Sequence, residues 1–295
     1  MGALAGTVVG IAGLGLVGRA LASRVVEAGA RVIGFDVNVA QRVSFDAAFA
    51  GAARNSVADL AREAGCVLIA VFDDAQVGKV VASLTAAAPR AASVVVCVTT
   101  ALPATLREAA GRCADAGIAF VEAPLSGSSA RIAAGEARMF VGGDAADIER
   151  AAPVLAAIAA RRSVIGAAGQ ASAAKLATNL VLGLNRAALA EGMVLAERLG
   201  IARERFLELL LDSAATSRAA EDKGTLMAED RFEPPVATVD QHAKDVRLML
   251  ALGRDCGQAL PLSTAHLKVL QDVIDRGDGA LDNAAVIRGI EALRA

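Results

Sequence analysis

The sequence predicts an α/β protein in which a doubly wound parallel sheet is followed by an all-helical domain. Three observations carry this. Up to about residue 168, short β-rich runs alternate with helical stretches. Those runs are continuously apolar rather than alternating, as expected of strands covered on both faces. After Gly169 no convincing strand remains and helical segments follow one another.

The elements follow in order. Thr7–Ala12 reads as the first strand, then a helix ending at Gly29 and a second strand at Arg31–Asp36. Further strands are expected at Cys66–Phe72, Ser93–Thr99, Ile118–Pro124 and Ala137–Gly143, with the helix "SVADLAREAG" before the third. Helices are expected from Gln170 to about Leu199, at Arg203 to about Leu211, in the polar stretch near Ser213–Asp230, from Val239 to about Arg254, and from Leu262 to about Arg276. Two prolines in "FEPPVA" (Phe232–Ala237) break the series. The domains are therefore placed at residues 1–168 and 169–295.

Composition narrows the function. A hydrophobic content of 55 % supplies a sizeable core, and a net charge of −2 argues against a nucleic-acid or acidic-membrane partner. No window resembles a transmembrane helix or signal peptide, and the scattered Cys66, Cys97, Cys113 and Cys256 read as reduced thiols of a cytoplasmic protein with no metal site. The absence of Tyr excludes dehydrogenases that use a tyrosine acid. His242 and His266 have no metal-ligand spacing and read as structural or surface residues.

"VVGIAGLGLVG" contains Gly13-Leu14-Gly15-Leu16-Val17-Gly18 between a strand and a helix, and Asp36 closes the next strand. In this βαβ context the glycines provide a tight turn, close backbone approach to a pyrophosphate, and close packing of helix on sheet. The N–H groups at the helix start face the anion. A carboxylate at Asp36 accepts from the ribose hydroxyls of NAD and repels the 2′-phosphate of NADP, and the nearest arginine is Arg42. The cofactor expected is NAD rather than NADP. Val71, Phe72 and Thr99 close strands at the carboxyl edge of the sheet, where ligands collect.

Lys175 is one of five lysines among thirty Lys and Arg residues. It lies among alanines and leucines in "GQASAAKLATN", with Asn179 four residues on and so on the same helix face. Arginine is effectively never deprotonated, whereas a desolvated lysine can exchange a proton near neutral pH. "PLSGSS" reads as a loop whose hydroxyls and N–H groups suit a carboxylate. Lys244 and Asp245 are adjacent and, on a helix, are expected to point apart rather than to pair.

Taken in order, the glycine fingerprint, "EAPLSGSSA" (Glu122–Ala130), "GQASAAKLATN" (Gly169–Asn179) and "HAKDVRL" (His242–Leu248) resemble the four motifs of the β-hydroxyacid dehydrogenases. The resemblance implies a Rossmann-like N-terminal domain, a long central helix, a helical domain, a cleft between them for a short hydroxy acid, and a homodimer or homotetramer. It implies Lys175 as general acid/base, Asn179 as a substrate-holding partner, and Ser126 and Gly127 as carboxylate ligands. It also implies Thr99 near the nicotinamide, Val71 lining the cofactor site, and Lys244 close to cofactor or substrate. The family's second glycine in the Ser-Gly-Gly turn is Ser128 here, a side chain facing the carboxylate site. Its Asp is Glu122, and its fingerprint Met is Val17.

The function expected is hydride transfer between NAD and a short carboxylate-bearing β-hydroxy acid, or its semialdehyde or keto acid. Two alternatives stand beside it: an imine reductase on the same fold, which usually carries another residue at the lysine position, and a non-catalytic NAD(P)-binding sensor.

Overall fold

The computed structural model describes residues 2–293. The described chain divides into two compact units, the first ending at Lys175 and the second beginning at Leu176.

The first unit opens with β1 (Val8–Ala12), α1 (Leu16–Glu27), β2 (Arg31–Phe35), α2 (Val39–Ala48), α3 (Val57–Glu63) and β3 (Cys66–Ile69). It continues with α4 (Asp74–Ala86), β4 (Val94–Cys97), α5 (Pro103–Asp115), β5 (Ala119–Glu122), β6 (Leu125–Ser126) and α6 (Ser129–Ala133). Last come β7 (Arg138–Gly142), α7 (Ala145–Ile158), β8 (Arg161–Gly166) and the start of α8 (Gln170–Arg198). The sheet runs in the order β2-β1-β3-β4-β5-β7-β6, with β8 paired to β7.

Strands β1 to β5 are parallel, as the α/β pattern predicts. The far margin is not: β7 runs antiparallel to β5 and β6. Between β6 and β7 lies a short connection holding only α6, too short for the crossover that parallel neighbours need. "PLSGSS" is accordingly more than a loop. Leu125 is buried and pairs with Met139, and Ser126 pairs with Arg138. Strand β8 carries no apolar run in the sequence because it is largely exposed, with Val164 66 % accessible.

Strand periodicity explains the continuous apolar runs of the central strands. Leu68, Val96 and Val121 pack on one face with Leu21 and Val25 of α1. Their neighbours Val67, Ile69, Val95 and Phe120 pack on the other with Leu60, Val81, Leu84 and Leu106 of α3, α4 and α5. Both faces are dry, so neither needs polar residues.

The second unit holds the rest of α8, then α9 (Arg203–Leu211), α10 (Arg218–Ala228), α11 (Val239–Asp255) and α12 (Pro261–Val273). A π-helical turn (Ile274–Asp278), a 3-10 turn (Asn283–Ala285) and α13 (Val286–Ala292) close it. Leu189, Met193, Leu207, Met227, Val246, Met249, Leu270 and Ile287 belong to its core. Ser217 and Thr238 fix the starts of α10 and α11 by accepting from Ala220 N and Gln241 N, each at 3.2 Å. Cys66, Cys97 and Cys113 are buried and Cys256 is exposed, all as free thiols. Among the described residues no helix is long and apolar enough to cross a membrane, and no cluster of His, Cys, Asp and Glu is arranged to hold a metal ion.

Candidate functional site

Strand β1 lies between β2 and β3, and the chain leaves β1 toward β2 on one side and β3 toward β4 on the other. The carboxyl ends of β1 and β3 are thus the switch point where open α/β sheets bind ligands. The glycine turn sits there, and its three glycines do three different things. Gly13 has φ +98°, donates its N–H to Phe35 O at 2.8 Å, and would place a Cβ 2.3 Å from Ala70 O. Gly18 would place a Cβ 1.9 Å from Gly13 O, so it allows α1 to close on the strand. Gly15 begins α1 in an extended conformation; a Cβ there meets nothing within 4 Å, and no side chain caps the helix. A helix start with open space and uncapped N–H groups fits a pyrophosphate.

Leu14, Leu16 and Val17 divide between core and surface. The Leu14 side chain is fully buried and its N–H donates to Asp36 Oδ2 at 2.8 Å, while Val17 is packed against the core and Leu16 is exposed. The other Asp36 oxygen, Oδ1, accepts from Asn38 N at 2.8 Å. Each carboxylate oxygen keeps a further lone pair for a ribose hydroxyl. Arg42 Nη1 donates to Asp36 O at 2.6 Å, and its guanidinium lies 5.7 Å from the Phe35 ring centroid. Asn38 caps α2 by accepting from Ala40 N, and Arg42 stands four residues on, which turns it back toward the end of β2. That cap followed by an arginine at i+4 is the signal in the sequence that places a cation here.

Thr99 is 5 % exposed and ties two strand ends together: its Oγ1 accepts from Val71 N and donates to Val71 O, both at 3.0 Å. Val71 is half-buried. Phe72 is exposed rather than in the core, with its N–H on Gln76 Oε1 at 3.0 Å. Exposed Leu16, Val37 and Phe72 therefore each follow the carboxyl end of one of the first three strands. Val37 carries no sequence signal, because a lone valine after a strand is indistinguishable from core.

At the end of β5, Glu122 is fully buried and accepts from Ala171 N at 2.8 Å and Ser172 N at 3.3 Å in the first turn of α8. Ser172 Oγ donates to Ala101 O at 2.5 Å, just beyond β4. One turn further along α8, Lys175 is only 6 % exposed, so its ammonium does not snorkel to the surface. Ser126 and Gly127, the latter at φ +141°, follow β5. Ser128 is the N-cap of α6: its Oγ accepts from Arg131 N at 3.2 Å.

In the second unit Asn179 Nδ2 donates to Asp245 Oδ2 at 3.4 Å. Lys244 Nζ lies 2.9 Å from Asp245 Oδ1, which corrects the expectation that these neighbours do not pair. The four-methylene lysine stem spans the angle between adjacent helical positions, and Asp245 is buried, which keeps the ammonium on it. His242 and His266 are both buried, their rings 5.1 Å apart, so they are structural and not surface groups. Burial, and then the Arg186 charge, pushes His266 down to about 4; burial, Arg186 and His266 hold His242 well below the usual imidazole range.

Comparison with known proteins agrees with this geometry. The NAD binding domain of 6-phosphogluconate dehydrogenase matches residues 8–167, and the model described as NAD-binding of NADP-dependent 3-hydroxyisobutyrate dehydrogenase matches residues 169–290. L-threonate dehydrogenase of Cupriavidus necator is 32 % identical over 96 % of this chain and 97 % of its own. The solved structure of 3-hydroxyisobutyrate dehydrogenase from Mycobacterium tuberculosis with L-serine has a TM-score of 0.85 at 27 % identity, covering 97 % of this chain and 99 % of that one. An imine reductase from a Pseudomonas species shares the fold, with a TM-score of 0.62 at 19 % identity over 96 % of this chain and 99 % of its own.

Cradle and matches together define an NAD(P)-dependent dehydrogenase acting on CH–OH groups. The chain belongs to the β-hydroxyacid dehydrogenase family.

Proposed function

We propose that the protein oxidises a short β-hydroxy acid, or reduces the corresponding semialdehyde or keto acid, with Lys175 as the general acid/base and NAD as the preferred cofactor. Nicotinamide supplies the hydride-exchanging carbon. Removal of hydride from a carbinol carbon requires the hydroxyl proton to leave, and the reverse reaction requires a donor for the forming alkoxide. Lys175 supplies that proton exchange. The observation that carries the reading is its position: a buried ammonium in an apolar stretch of α8, one turn after a helix start fastened to the ends of β4 and β5.

Ser126 and Gly127 bind the substrate carboxylate through hydroxyl and backbone N–H groups. The Ser128 hydroxyl accepts from Arg131 N and can still donate its own proton toward that carboxylate. Asn179, on the next turn of α8, orients the hydroxyl, and the family resemblance assigns Lys244 to the cofactor or substrate. The Asp36 carboxylate, held by two backbone amides, favours the free ribose hydroxyls of NAD. Partly buried Val71 and exposed Leu16 and Phe72 supply apolar surface for the cofactor rings.

The experiment is NAD(P) reduction over a panel of short hydroxy acids, with L-threonate, 3-hydroxyisobutyrate and glycerate among them. Turnover with at least one, abolished in Lys175→Ala, supports the reading. Cofactor binding without turnover on any member would refute it. L-Threonate heads the panel because it is the acid named by the Cupriavidus relative.

A further inference from the structure

We infer that Glu122 is a positioning residue for Lys175, holding the first turn of α8 so that the lysine one turn later keeps a single placement. The inference rests on the acid/base reading of Lys175.

A helix start leaves several N–H groups without partners inside the helix. In a buried setting each must find an acceptor or destabilise the fold. Glu122 supplies both of its oxygens to this end: Oε1 takes Ala171 N at 2.8 Å and Oε2 takes Ser172 N at 3.3 Å. Burial pushes the Glu122 carboxyl up, against the pull of the Ala171, Ser172 and Gly169 amides; in its ionised form it makes the stronger hydrogen bonds and complements the helix dipole. Ala171 and Ser172 stand four and three residues before Lys175, so the clamped amides and the lysine share one turn of the same helix face.

Two further details show that the site is built around this carboxylate. Ser172 makes a second tie, from its Oγ to Ala101 O, so the turn is held by β4 as well as β5. Across the strand pair, Gly142 faces Glu122, and a Cβ at that position would lie 2.3 Å from Glu122 Oε1. Glycine at 142 therefore gives the glutamate side chain its room.

The reading separates from simple helix capping by what it does to turnover. A cap that serves stability alone lowers the melting temperature and leaves kcat of the folded enzyme unchanged. A positioning residue lowers kcat while the KM for the dinucleotide holds, because the glycine cradle is untouched. Two variants reach the same geometry by different routes. Glu122→Gln keeps the length but presents an NH2 group to the helix amides. Gly142→Ala keeps the carboxylate and displaces it.

The test is steady-state kinetics of both variants on the best substrate of the hydroxy-acid panel, with melting curves to establish the folded fraction. The expected result is a loss of tenfold or more in kcat in each, with the cofactor KM within twofold of wild type. A kcat within twofold of wild type in either folded variant would overturn the inference. Should both fail to fold, Ser172→Ala removes only the tie to Ala101. It is expected to lower kcat three- to tenfold, and an unchanged kcat there overturns the inference as well. Lys175→Ala run alongside distinguishes the two levels. If it stays active, the acid/base reading fails; if it is inactive while Glu122→Gln turns over normally, only the role of Glu122 fails.

Discussion

Gly18 rests so closely on Gly13 that a side chain has no place between them: a Cβ on Gly18 would sit 1.9 Å from the Gly13 carbonyl oxygen. Gly15, between them, faces open space. The three glycines of the cradle are thus not equivalent, and their substitutions should fail differently. Gly18→Ala must push α1 off the strand and is expected to destabilise the fold by about 2 kcal/mol or more, as for other steric overpacking. Gly15→Ala has room and a backbone conformation open to alanine. It should melt close to wild type while the dissociation constant for the dinucleotide rises at least tenfold. Calorimetry and a cofactor titration on the two variants check this pair of outcomes.

Asp36 and Arg42 bring opposite charges to the end of β2, but in different ways. The carboxylate is fixed by Leu14 N and Asn38 N, whereas the Arg42 guanidinium donates to the Asp36 carbonyl. Removing the carboxylate should therefore leave the cation in place. Asp36→Ala is expected to lower kcat/KM for NAD at least tenfold and to move the NAD-to-NADP preference toward NADP. Adding Arg42→Ala should reverse part of that shift. Unchanged preference in Asp36→Ala would remove the argument for NAD.

The buried histidines make the second unit sensitive to acid. His266 is held at about 4 and His242 well below the usual 6.5, so unfolding takes up protons between those values and the unfolded pKa. The stability they allow is complete above about pH 6.5 and is lost as pH falls toward 4. For His266 alone the loss amounts to about 3 kcal/mol at the acid end. Melting temperature measured from pH 7 to pH 4 should fall steeply in wild type and less steeply in His266→Gln. An equal slope in both would contradict the assignment.

Much of this was legible because the relevant signals are local. The Gly13, Gly15 and Gly18 spacing, the burial of Lys175 in an alanine-rich helix, and the α9 boundaries at Arg203 and Leu211 follow from neighbouring residues. What was not legible depends on distant partners. Strand β8 forms because β7 offers an edge, not because Arg161–Gly166 is apolar. The grip of Glu122 on α8 joins residues about fifty positions apart, and nothing around Glu122 announces it. Lys244 pairs with Asp245 because a buried carboxylate holds a flexible ammonium, which angular spacing along a helix does not capture. The seclusion of His242 and His266 likewise comes from packing within the helical unit.

The role of Lys175 is the central claim, and one comparison tests it most directly: kcat of Lys175→Ala against wild type on an active hydroxy acid, with the dinucleotide dissociation constant measured on the same preparations. Loss of a general acid/base typically removes roughly a hundredfold to ten-thousandfold of rate. The account predicts a fall in that range with cofactor binding within about threefold of wild type, since the glycine cradle is built on the turn between β1 and α1 and Lys175 stands on α8. Near-native turnover in a folded Lys175→Ala protein would contradict it.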